Sequence, residues 1–200
     1  MKKVDLFWAA SQSNEEDSSS TDDDTIIIEQ NRIYFYSEVK RTKILTLNKS
    51  LRKLDKELIN RSNTLDAAVP NIHLHIQSFG GSVFAAFSTI DYIRKSVTPV
   101  HSIVEGCAAS AATLMSVVAE ERYITAHSYM LIHQLSSGIW GKYEEIKDDM
   151  KNCDRFMKMI KDIYTKYTKI PKKKLEEILK HDLWFNAEQC LEYGLVDEII

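Results

Sequence analysis

Residues 72–94 read IHLHIQSFGGSVFAAFSTIDYIR, and this stretch decides the fold class. Its opening alternates apolar residues with His73 and His75, the period of two expected of a strand. Ser78-Phe79-Gly80-Gly81 interrupts the alternation. From Ser82 onward, Val83, Ala86, Phe87, Ile90 and Ile93 recur every three or four positions, which is helical spacing. The same order follows at once, with a strand expected over 100–104, a break at Gly106 and a small-residue helix over 109–118. Strands alternating with helices predict an α/β domain with a largely parallel sheet.

Working outward, 26–28 and 32–36 are expected strands, and 42–58 a helix carrying Ile44, Leu47, Leu51, Leu54 and Leu58. Short strands are expected at 123–124 and 130–133. A long helix over 143–168 carries Tyr143, Ile146, Met150, Cys153, Met157, Ile160 and Tyr164 on one stripe. Pro171 suits the first turn of a helix over 172–180. A last helix over 187–193 ends at Gly194, a helix-terminating residue.

The chain has 200 residues, 44% hydrophobic and 28% charged, an ordinary globular composition that excludes a chain disordered or collagen-like throughout. One domain is the default at this length. The apolar run at 108–118 falls short of the ~20 residues a membrane span needs. No basic stretch precedes an apolar one at the N-terminus, so no signal peptide is expected. Cys107, Cys153 and Cys190 show no CxxC spacing and fit reduced thiols in a cytosol-like compartment. Residues 11–24, SQSNEEDSSSTDDD, hold no apolar residue, which predicts an acidic mobile arm over 1–24 ahead of a domain at 25–200. Residues 4–31 carry eight acids and no Lys or Arg, so the net charge of −3 hides a slightly basic body. No dense basic and aromatic stripe marks a nucleic-acid binder.

In open α/β sheets, ligands gather beyond the carboxyl ends of the strands. Gly80-Gly81 can turn backbone N–H groups outward, as an oxyanion hole requires, or can simply make a tight turn. Ser110 in GCAASAAT (106–113) is expected in a first helical turn, where unpaired N–H groups favour a developing anion. The bland alternative is close packing with Ser110 as a cap, and the GxSxG string of hydrolases is absent. His133 ends an apolar strand, as a general base or as a satisfied core residue. Asp182, between Lys180-His181 and Leu183-Trp184-Phe185, can orient an imidazole or can be a solvated helix end.

Taken in order behind a glycine pair, Ser110, His133 and Asp182 make the sequence resemble the ClpP family, the proteolytic subunit of ATP-dependent Clp proteases. The resemblance spans about 32–200 and lies in five motifs: IHLHIQSFGGS (72–82), GCAAS (106–110), MLIHQ (130–134), Asp182 before LWFNAE (183–188), and EYGLVDEI (192–199). It implies a ClpP/crotonase-like fold whose long helix forms a handle. It also implies Ser110 as nucleophile, His133 as base and acid, Asp182 as the group orienting His133, and the N–H groups of Gly81 and Ala111 as oxyanion hole. The activity implied is a serine endopeptidase cleaving unfolded polypeptides inside a homo-oligomeric chamber of heptameric rings, stacked in pairs. A separate AAA+ unfoldase would feed it, in a cytoplasm (a host's, if the chain is viral), with no membrane or nucleic-acid partner. No GxxxxGK[ST] string occurs, so ATP would be used by that partner; no cofactor or metal is implied for this chain.

The sequence departs from the family at several points. Phe79 and Leu135 stand where it has Pro, and residues 136–141 keep only part of a glycine-rich strand. Lys180-His181 replace an Asp-Arg pair of the ring contact, and the N-terminal arm does not match the axial hairpin. Two other functions share these features. A ring-forming structural or weakly active subunit is opposed by the intact Ser110, His133 and Asp182. A crotonase-type acyl-CoA enzyme shares the two-amide oxyanion hole but does not need that set.

Overall fold

The strand read from the start of residues 72–94 lies at the centre of the sheet, and its turn and helix follow it as expected. A computed structural model describes residues 25–200; the expected acidic arm over 1–24 lies outside the described residues. A hairpin of β1 (Thr25–Glu29) and β2 (Arg32–Tyr36) leads into α1 (Arg41–Leu65). Then come β3 (Ile72–Ser78), α2 (Val83–Lys95), β4 (Val100–Ala109) and α3 (Ala111–Val117). Two short strands, β5 (Arg122–Ile124) and β6 (Tyr129–Leu131), precede the long α4 (Tyr143–Tyr167). The chain closes with α5 (Lys172–Ile178), β7 (Trp184–Phe185), α6 (Ala187–Glu192) and β8 (Glu198–Ile199).

The strands run in the order β1-β2-β3-β4-β5-β8, with β6 beside β4 and β7 beside β6. Among the described residues, only β1 with β2 and β6 with β7 are antiparallel. The expected α/β class and largely parallel sheet are what the chain adopts. Ile33 and Phe35 of β2, Ile72, Leu74 and Ile76 of β3, and Val104 of β4 are fully buried in one core with Leu47 of α1 and Ala86 of α2. Burying each large aliphatic side chain contributes about 1.5–3 kcal/mol, so the central strands anchor whatever their ends carry.

The differences from expectation have local causes. Helix α1 runs past residue 58 to Leu65, beyond the end of its apolar stripe. It ends where Asp66 turns left-handed and its N–H bonds Ser62 O. Gly106 does not end β4. The strand bulges there, with Gly106 at φ 67°, and the register slips between Ile76↔Val104 and Ser78↔Ala108. Before the bulge β4 pairs with β5, and after it with β6. A new partner keeps the strand going. The strand expected at 130–133 stops at Leu131, and α5 stops at Ile178. No strand forms over 136–141.

Helix α4 is covered on one side only at its C-terminal half, where Ile160 and Tyr164 are buried. Residues 141–151 are all exposed, including Tyr143, Ile146 and Met150 of the apolar stripe. Among the described residues, no helix is long and apolar enough to cross a membrane.

Candidate active site

Three neighbouring strands bring Ser110, His133 and Asp182 together. In the parallel β4–β6 pair Ala109 lies opposite Leu131, and Ser110 N–H donates to Leu131 O at 2.8 Å. In the antiparallel β6–β7 pair Leu131 lies opposite Trp184. Carrying that register onward sets His133 opposite Asp182. Gln134 N–H donates to Leu179 O at 2.7 Å, which pins the end of α5 beside the segment after His133.

One imidazole then spans both partners. His133 Nδ1 lies 2.7 Å from Asp182 Oδ1, and His133 Nε2 lies 2.8 Å from Ser110 Oγ. A carboxylate accepts only, so Nδ1 carries the proton and the Nε2 lone pair faces the serine hydroxyl. Ser110 and His133 are partly buried, and the Asp182 side chain is 51% exposed.

Ser110 is not inside a helical turn, as expected, but on the elbow immediately before α3, at φ 54° and ψ −125°. Its side chain caps no helix N–H, so the capping alternative fails. Such a left-handed, strained corner lifts a hydroxyl clear of strand and helix. Gly80 makes room for it. A methyl group on Gly80, at φ 96°, would stand 2.6 Å from Ala109 O and 2.7 Å from Ser110 Cβ.

Gly81 is oriented by a parallel bridge to Val39. Val39 N–H donates to Gly80 O and Ser82 N–H donates to Val39 O, both at 2.8 Å. Those groups face Val39, so the intervening N–H of Gly81 points to the opposite side. Phe79, 65% exposed, meets Trp184 edge to face, with ring centroids 6.4 Å apart. This aromatic pair adjoins the glycine loop on one side and the Asp182 segment on the other.

Other reactive groups are accounted for elsewhere. Nδ1 of the buried His75 sits 2.9 Å from Glu105 Oε1, and its ring stacks on Tyr34 at 4.4 Å. Burial pushes the Cys107 thiol up, so this cysteine, three residues before Ser110 in the chain, forms little thiolate. Lys180, which stands at a family departure just past the end of α5, pairs with Glu177 of that helix at 2.7 Å.

The family model described as Clp protease matches residues 22–200. The chain belongs to the Clp protease family. Among the relatives of this Clp protease, ATP-dependent Clp protease proteolytic subunit 2 of Treponema denticola is 35% identical over 156 residues, covering 76% of this chain and 77% of the relative. Proteolytic subunit 1 of Chlamydia caviae is 34% identical over 129 residues, 62% of this chain and 68% of the relative. The proteolytic subunit of Deinococcus radiodurans is 30% identical over 140 residues, with 68% and 69% covered. The resemblance drawn from the five motifs is thereby borne out, and with it the fold class.

Sequence reasoning missed three features of the site. It singled out Gly81 but not Gly80, which abuts Ser110. It overlooked β7, whose two residues carry no period. Nor did it single out Thr113 and Tyr164, which lie behind Ser110.

Proposed function

We propose that this chain is a serine endopeptidase using Ser110, His133 and Asp182. The observation that carries the reading is the single imidazole held 2.8 Å from the Ser110 hydroxyl and 2.7 Å from the Asp182 carboxylate. His133 Nε2 takes the hydroxyl proton as Ser110 Oγ bonds to the peptide carbonyl carbon. Asp182 holds the Nδ1–H tautomer and stabilises the imidazolium that forms. The N–H groups of Gly81 and Ala111 donate to the oxyanion of the tetrahedral intermediate. Collapse breaks the C–N bond as His133 returns its proton to the leaving amine. Water, activated by the same imidazole, then releases the acyl group and restores the serine.

The chamber is the second part of the proposal. The substrates are unfolded polypeptides, cut inside rings of seven copies stacked in pairs and fed by a separate AAA+ ATPase in the cytoplasm. The relatives' names, proteolytic subunits of ATP-dependent Clp proteases, support the ATPase. The uncovered apolar stripe on α4 supports self-association.

A fluorophosphonate probe with peptide mapping tests the chemistry, alongside hydrolysis of a fluorogenic peptide. Labelling is expected on Ser110, and Ser110→Ala should lose both labelling and turnover. Asp182→Asn should lower kcat by a factor on the order of 10⁴, because the wrong tautomer is then favoured. Undiminished hydrolysis by Ser110→Ala would remove the serine from the mechanism.

A further inference from the structure

Behind Ser110 two buried hydroxyls form a chain that ends on its backbone. Thr113 Oγ1 donates to Ser110 O at 2.6 Å, and Thr113 N–H donates to the same oxygen at 3.1 Å. Thr113 Oγ1 also lies 2.6 Å from the hydroxyl of Tyr164 on α4. Thr113 is fully buried and Tyr164 is 1% exposed. A threonine hydroxyl has one proton, and here it goes to Ser110 O, so Tyr164 must be the donor to Thr113. Burial pushes the Tyr164 hydroxyl far up, which keeps it protonated and able to donate.

The oxygen at the end of this chain belongs to the peptide unit joining Ser110 to Ala111. That unit is planar and trans, so its C=O and N–H point in opposite directions. Fixing Ser110 O therefore fixes the direction of the Ala111 N–H. The neighbouring φ of 54° at Ser110 is sparsely populated and needs its surroundings to hold it.

We infer that Thr113 and Tyr164 are positioning residues that aim the Ala111 N–H at the developing oxyanion, Tyr164 acting through Thr113. The inference rests on the peptidase reading above. It assigns the buried end of α4 a part in transition-state stabilisation as well as in packing. An N–H held in advance needs no reorientation when the charge forms.

Four variants of the full chain separate this role from simple packing. Thr113→Val removes the hydroxyl and keeps the shape; Thr113→Ser keeps the hydroxyl; Tyr164→Phe removes only the distal donor. The double variant combines Thr113→Val with Tyr164→Phe. Each is read by active-site titration with a fluorophosphonate, kcat and KM per titrated site on a fluorogenic peptide, and inhibition by a peptide aldehyde, which forms a tetrahedral adduct.

Thr113→Val should lower kcat about tenfold with KM little changed, and weaken the aldehyde by the same factor. Tyr164→Phe should lose about threefold, and Thr113→Ser should recover most of the wild-type rate. The double variant should be no worse than Thr113→Val alone, because the Tyr164 hydroxyl acts through Thr113. Unchanged kcat per titrated site in Thr113→Val, with any loss confined to the number of active sites, overturns the inference and leaves a packing role. If Thr113→Val does not fold, Tyr164→Phe decides by the same criterion. A wild-type chain that never labels at Ser110 instead overturns the peptidase reading itself.

Discussion

Gly80 occupies the tightest place beside Ser110. An added methyl group would meet Ala109 O and Ser110 Cβ at 2.6 and 2.7 Å, and the first of these is backbone that cannot swing aside. Its φ of 96° also penalises any L side chain. Gly80→Ala should therefore displace the Ser110 elbow while the buried strands behind it persist. The expected loss is on the order of 10² in kcat/KM, the scale of a misplacement of about 1 Å at a reacting group. Circular dichroism and fluorogenic-peptide kinetics on one preparation test this; full activity would mean the loop relaxes without moving Ser110. The sequence made the glycine pair legible as a turn near chemistry. It could not say which glycine abuts the serine, because that depends on how β3 and β4 lie side by side.

At the scale of elements, α4 stands out. Its three-to-four spacing was readable as one apolar stripe, yet that stripe has two fates. The C-terminal half buries Ile160 and Tyr164 in the core, whereas Tyr143, Ile146 and Met150 remain exposed at 71%, 38% and 52%. An apolar helix face without a neighbour is stabilised by a partner, and each large side chain covered is worth about 1.5–3 kcal/mol. The double substitution Ile146→Glu and Met150→Glu should shift the chain toward smaller assemblies at a given concentration. It should leave the thermal transition of the subunit nearly in place, since neither side chain is buried within it. Native mass spectrometry over a dilution series reads the shift. An unchanged distribution would show that the exposed half of α4 does not join copies.

For the molecule as a whole, a link from β5 to the segment entering β8 ties down the end of the sheet. Arg122 Nε and Nη2 donate to the two Asp197 oxygens at 2.8 and 2.5 Å. Arg122 Nη1 donates to Gly194 O at 2.9 Å and also to Tyr167 O, which ties in the end of α4. The Arg122 guanidinium holds the Asp197 carboxyl below its usual range. A depressed folded-state pKa means the stabilisation is present above the unfolded value, about 3.9 for Asp, and is lost as pH falls through the lower folded value. Asp197 is partly exposed, so solvent screening keeps the effect modest. Asp197→Asn should lower Tm by about 2–4 °C at neutral pH. As pH falls below about 4 the wild type should lose more Tm than the variant, so the two curves converge. Parallel curves would show that this pair does not set the acid sensitivity.

The sequence by itself determined the α/β class, the central strands and helices, and the order of Ser110, His133 and Asp182. Periods of two and of three to four are local, set by which face of one element meets the core, so they survive in one dimension. Tertiary structure decided what has no local period. The two residues of β7 are a strand only because β6 lies beside them, and that pairing sets Asp182 opposite His133. The extension of β4 through Gly106 depends on its change of partner from β5 to β6. The hydroxyl chain from Tyr164 to Ser110 joins residues far apart in the chain, and only the packing of α3 against α4 brings them within 2.6 Å. Strand hydrogen bonds and buried polar contacts are made between segments, so their partners exist only once the chain has folded.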